Sequence, residues 1–172
     1  MVDRPRPSRL SSEPDDPGAF TRRHDRWYTA LAGPYEAAVR RLPVWKTWIG
    51  RALPHLRGPR VLEVSFGTGY LLARWAGDVE AAHGVDFNRR MVETARGSLA
   101  RAGATASLVQ GNVEALPYPD GCFDTLVSTM AFSGYPDGHR ALAEMERVLR
   151  PGGRLVLIDF AYPADGNRIG SA

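Results

Sequence analysis

The chain has 172 residues, 44% hydrophobic and 24% charged, with a formal net charge of +3, which fits one folded domain able to bury a core. No Lys/Arg block with interleaved aromatics marks a nucleic-acid surface, and no apolar run approaches the ~20 residues of a transmembrane span. Cys122 is the only cysteine, which rules out an intrachain disulfide and makes a reducing cytoplasm the expected location.

Residues 1–19 carry Pro5, Pro7, Pro14 and Pro17 among Ser, Asp, Glu and Arg, and read as a disordered tail. Residues 20–58 read as a helical segment. Trp27, Leu31 and Tyr35 share one spacing, and Trp45, Trp48, Ile49 and Ala52 make a second stripe behind Pro43. Residues 59–172 read as an α/β domain. The pattern predicts strands at 60–64, 82–86, 106–110, 123–128 and 155–159. A helix is expected at 69–76. Asn88 caps the next one, with Met91, Ala95 and Leu99 on one face and Gly103 ending it. Asp137 precedes another that carries Leu142, Met145 and Leu149, and Arg150-Pro151-Gly152-Gly153 reads as a turn. Strands alternating with helices imply a doubly wound, Rossmann-like parallel sheet of five strands with N-terminal helices.

In such a sheet the ligand lies outside the carboxyl ends of the strands. Those ends supply Glu63 to Gly69, Asp86-Phe87, Asn112-Val113 and Ser128-Thr129-Met130. Gly67 and Gly69 leave room for close approach to the backbone. Glu63 suits a ligand with positive charge and hydroxyls better than one with phosphates. Asp86 can accept from both hydroxyls of a ribose, Phe87 can cover an adenine face, and Asn112 can bond an adenine edge. The four histidines, His24, His55, His83 and His139, show no metal-ligand spacing.

Four stretches then carry a resemblance: Glu63-Val64-Ser65-Phe66-Gly67-Thr68-Gly69, Gly84-Val85-Asp86, Gly111-Asn112-Val113-Glu114-Ala115-Leu116-Pro117, and Arg147-Val148-Leu149-Arg150-Pro151-Gly152-Gly153. Together they resemble the class I S-adenosylmethionine-dependent methyltransferases, and the last two are especially like the subgroup that includes ubiquinone and menaquinone biosynthesis methyltransferases. The resemblance implies S-adenosylmethionine as cofactor and in-line methyl transfer to a small molecule such as a quinone precursor or a lipid. It implies that the Gly67/Gly69 turn takes the methionine portion and Asp86 the ribose. Phe87 and Val113 then flank the adenine, Asn112 meets its exocyclic amine, and Ser128 and Met130 line the floor near the methyl. Tyr28 and Tyr35 are the substrate-side candidates. Ser65 stands where the family usually has glycine, and a serine fits comfortably only at φ below zero. Asn112 stands where the family often has Asp.

A nicotinamide-dependent oxidoreductase fits poorly, because Leu72 occupies the third position of the dinucleotide fingerprint. A cofactor-binding module that needs a partner chain fits better. Thirteen residues follow Asp159, too few for the helix and antiparallel strand pair with which the family continues. The fifth strand is then expected to be a bare apolar edge unless the N-terminal segment folds over it, and a fragment or a chain completed by a homodimer is the favoured explanation.

Overall fold

The computed structural model describes residues 43–159. The expected tail at 1–19, the stripe of Trp27, Leu31 and Tyr35, and residues after Asp159 lie outside the described residues, and so does Tyr28. Helix α1 (Pro43–Gly50) leads through a short 3₁₀ turn at Leu53–His55 into β1 (Arg60–Val64). Then follow α2 (Leu72–Trp75), β2 (Ala81–Asp86), α3 (Arg89–Ala102), β3 (Ser107–Gln110), β4 (Phe123–Thr129), α4 (Gly138–Val148) and β5 (Leu149–Ile158).

The five strands form one sheet in the order β3-β2-β1-β4-β5, and every pairing is parallel. The strands alternate side chains between two faces, so each face needs its own cover. Val61, Val127 and Val156 point to one face, where Leu72, Trp75, Val92, Ala95 and Leu99 from α2 and α3 pack, with Ala52 beside them. Leu62, Val64, Val85 and Leu126 point to the other, beneath Ala141, Met145 and Val148 of α4 and Val113 and Leu116 of the β3–β4 connection.

Local chemistry explains the helix ends. Asn88 Oδ1 accepts from the backbone N–H groups of Arg90 and Met91 at 2.9 and 3.2 Å, satisfying two of the orphan donors of α3. Gly103 closes that helix at φ 65°, a left-handed corner that glycine adopts without a Cβ clash. Asp137 caps α4 through the N–H of Arg140. The helix expected at 69–76 is one turn of α-helix followed by a 3₁₀ turn at Ala76–Asp78.

Two expectations need correction. The buried stripe of α4 is Ala141, Met145 and Val148, whereas Leu142 is exposed and Leu149 already belongs to β5. The turn at Arg150–Gly153 does not precede the last strand but lies inside it. Phe123 pairs with Leu149 and Thr125 with Arg154, so the turn is an excursion that β5 makes between two points of pairing with β4. Gly152, at φ 74°, makes that excursion without strain.

Arg147 joins two segments that are far apart in sequence. Its guanidinium donates to the carbonyls of Leu116 and Tyr118 at 3.0 and 2.8 Å and to the carboxylates of Glu144 and Asp120. Glu144 in turn accepts the N–H of Leu116 at 2.7 Å. A planar fork meets four acceptors here, which a lysine ammonium cannot copy. Arg147→Ala is expected to destabilise the protein by roughly 1.5–3 kcal/mol, the range for hydrogen bonds to a charged group. Arg147→Lys is expected to recover only part of that loss, as read by chemical denaturation.

Candidate functional site

The chain runs from β1 outward to β2 and β3, then crosses to the other side of β1 to form β4. The crevice at the carboxyl ends of β1 and β4 is therefore the topological switch point. Asp86 ends β2 beside it. Its Oδ2 accepts the N–H of Gly67 at 2.8 Å and its Oδ1 accepts the N–H of Asn88 at 2.9 Å. One buried carboxylate thus holds the glycine turn after β1 and the entry to α3. Burial first raises its pKa from 3.8 to about 6, against the pull of those two N–H groups.

The two glycines of the turn do different work. A Cβ built on Gly69 would sit 2.7 Å from Ala95 Cβ, so Gly69 lets α3 pack closely against the turn. A Cβ built on Gly67 meets nothing within 4 Å, and Gly67 has φ 55°. Gly67 is thus the position that leaves its backbone open to a ligand, while Gly69 serves helix packing. Phe87, 42% exposed, stands next to Asp86 with its ring available for stacking.

Ser65 does not meet the condition set for it, because its φ is 54°. A non-glycine residue held there costs on the order of 1–3 kcal/mol. Its Oγ lies 3.0 Å from Tyr135 Oη in a hydrogen bond, and Tyr135 Oη lies 3.2 Å from Ser128 Oγ in another. Met130, at the end of β4, is also left-handed, at φ 53°, and its N–H donates to the carbonyl of Ile158 at 2.7 Å.

Tyr135 was not legible as a site residue. It lies in the loop after β4, in a Ser-Gly-Tyr-Pro sequence that reads as a turn. The signal that could have found it is its place after a strand's carboxyl end. The loop is anchored by Asp159, whose carboxylate accepts from Ser133 N at 2.7 Å and from Ser133 Oγ at 3.1 Å. Asn112 spends its Oδ1 on the N–H of Glu114 at 3.0 Å, which shapes the turn after β3. Val113 is buried in the core under α4. Cys122 is partly buried, and burial pushes its thiol above the ordinary value, the direction of an unreactive thiol. Among the described residues no group of three or more His, Cys, Asp or Glu could hold a metal ion.

Glu63 is buried, and its Oε2 accepts the indole N–H of Trp75 at 2.9 Å. Burial raises its pKa from 4.5 to about 8. The Trp75 hydrogen bond opposes that rise and the Asp86 charge adds to it. A carboxyl whose folded pKa is raised stabilises the fold fully below its unfolded pKa and loses that contribution as pH rises through the folded value. For Glu63 the window runs from 4.5 to about 8, and for Asp86 from 3.8 to about 6, with the same sign. The melting temperature is therefore expected to fall from pH 6 to pH 8. Glu63→Gln, which keeps an acceptor for Trp75, is expected to flatten that fall in circular-dichroism melts.

Comparison with known proteins agrees with this arrangement. The sequence model of the methyltransferase domain family matches residues 62–157. The ubiquinone/menaquinone biosynthesis C-methyltransferase of Erwinia tasmaniensis is 36% identical over 125 residues, covering 70% of this chain and 50% of that protein. The chain thus spans about half the length of the curated relatives it matches. Among solved structures, the YcgJ protein from Bacillus subtilis superposes with a TM-score of 0.65 at 30% identity, covering 69% of this chain and 53% of the other. An S-adenosylmethionine-dependent methyltransferase from Thermotoga maritima gives a TM-score of 0.63 at 25% identity, covering 78% and 59%. With the same family matching more than half of its length, and with the sheet order and glycine turn described above, the chain belongs to the class I S-adenosylmethionine-dependent methyltransferases.

Proposed function

We propose that the protein transfers a methyl group from S-adenosylmethionine to a small apolar or aromatic molecule, of the class of a quinone precursor or a lipid. The observation that carries the cofactor half of this reading is the pairing of an open left-handed corner at Gly67 with the buried Asp86 carboxylate at the switch point. The acceptor half rests on the relatives named as C-methyltransferases of ubiquinone and menaquinone biosynthesis.

The bound cofactor supplies an already activated methyl on a sulfonium. The residues of the chain then have binding and alignment to do. A carboxylate has about four acceptor sites, and Asp86 uses two on backbone N–H groups. The remaining two suit a vicinal diol such as a ribose. Phe87 offers a ring face to the adenine, with Val113 beneath, and Asn112 keeps its amide group and a lone pair for the adenine edge. Glu63, Ser65, Ser128 and Met130 surround the methionine portion. Tyr28 and Tyr35 remain proposals for the acceptor side. Holding the acceptor in line with the S–CH₃ bond and excluding water can lower the barrier by ~7–11 kcal/mol at best.

A second reading has its own observation. Leu155 and Leu157 on β5 are 37% and 40% exposed, and β5 pairs only with β4 among the described residues. Such an apolar edge suits a cofactor-binding module completed by another chain, and we propose a homodimer through β5. Light scattering is expected to give twice the chain mass, and a monomer overturns the dimer.

Calorimetry on the full chain tests the main proposal. Saturable binding of S-adenosylmethionine is expected, weakened about 10- to 100-fold by Asp86→Ala. No binding by folded wild-type protein overturns it. Protonation of Asp86 removes an acceptor, so affinity is also expected to fall as pH drops below about 6.

A further inference from the structure

The hydroxyls of Ser65, Tyr135 and Ser128 form a chain across the crevice between β1 and β4. Three hydroxyls bring three hydrogens and six lone pairs. Their two mutual bonds use two of each, which leaves one donor and four acceptor lone pairs. Ser128 is almost fully buried and Ser65 and Tyr135 partly so, so most of this surplus does not face bulk water. Each hydroxyl already has a protein partner, and the spare lone pairs are capacity that a ligand donor can use.

The surrounding charge says which kind. Burial first, and then the carboxylates of Asp86 and Asp159, push the Tyr135 phenol above its ordinary value, against the pull of its two serine partners. Asp86 meets two backbone N–H groups and no cationic side chain among the described residues. A site rich in acceptors and negative charge favours a positively charged donor over an anion. The backbone points the same way. Ser65 is held at φ 54°, where glycine would be unstrained, and what the serine adds over glycine is the hydroxyl that meets Tyr135.

We propose that the Ser65–Tyr135–Ser128 hydroxyl chain is an ammonium-recognition element, with Tyr135 Oη accepting a hydrogen bond from the α-amino group of the cofactor's amino-acid end. This rests on the S-adenosylmethionine reading and makes Tyr135 a specificity-determining residue within that site. Asp159 acts through Ser133 to hold the loop that carries Tyr135.

The test is calorimetry on the full chain with two ligands, S-adenosylhomocysteine and the same molecule lacking its α-amino group. Tyr135→Phe is expected to weaken the first about tenfold, as loss of a hydrogen bond to a charged group does, and to leave the second unchanged. Ser65→Gly relieves the left-handed strain. It is expected to melt roughly 2–4 °C higher and still to lose affinity for the amino-bearing ligand alone. A purely structural role would move both ligands together. Equal losses for the two ligands, or no loss in either variant, overturn the proposal while leaving the cofactor reading intact. Failure of the wild-type protein to bind either ligand overturns the cofactor reading and this inference with it.

Discussion

The Asp86 carboxylate is the constraint on which the site depends. Its two oxygens hold the N–H of Gly67 and the N–H of Asn88, so β2, the turn after β1 and the start of α3 are tied at one point. That tie adds to the Ser65 N–H bond to Val85 O and the Gly69 N–H bond to Phe66 O, which hold the rest of the turn. The carboxylate is buried, and burial raises its pKa to about 6, so the arrangement is close to its limit as a charged group in the physiological range. Two backbone donors oppose the effect of burial and leave half of its acceptor sites free.

The opposite face has its own tie. Arg147 and Glu144 hold the carbonyls and N–H of the β3–β4 connection, and Glu114 in that connection accepts the N–H of Asp137, which caps α4. These contacts place Asn112 and Val113 at the end of β3. The stretches ending in Leu116-Pro117 and beginning at Arg147 are two separate motifs along the sequence. In space they are one clamp, and its work is positional. Residues that carry a family resemblance can do so because they hold backbone at the carboxyl ends of the strands.

Strain is concentrated where the two central strands end. Ser65 after β1 and Met130 after β4 are the non-glycine residues with positive φ among the described residues, and β1 and β4 are neighbours. Both are fixed by hydrogen bonds from their own N–H groups, at 2.7 Å to Val85 O for Ser65 and at 2.7 Å to Ile158 O for Met130. The sheet thus over-determines the conformation at its switch point, which is how a backbone can hold an unfavourable angle at a functional crevice. The serine hydroxyl at the first of these corners turns a strained position into a polar contact with the next loop.

Much of this was legible in the residues themselves. The short apolar runs marked four strands to within a residue or two and the second half of β5, and Asn88, Gly103 and Asp137 marked helix ends because capping and left-handed corners are local chemistry. The acid at the end of β2 and the glycine corner after β1 followed from the same local logic. What the chain alone did not show depends on contacts between distant segments. The division of labour between Gly67 and Gly69 needs the position of Ala95 on another element. The placement of Arg150–Gly153 inside β5 needs the pairing with β4, since a turn signal looks the same within a strand as before one. The left-handed angle of Ser65, the indole bond that buries Glu63, and the hydroxyl of Tyr135 seventy residues from its partner are set by packing around the crevice. Sequence determined the elements and the kind of site they build. Tertiary structure alone decided which polar atoms meet at it, because those meetings are made by residues whose separation along the chain carries no periodic signal.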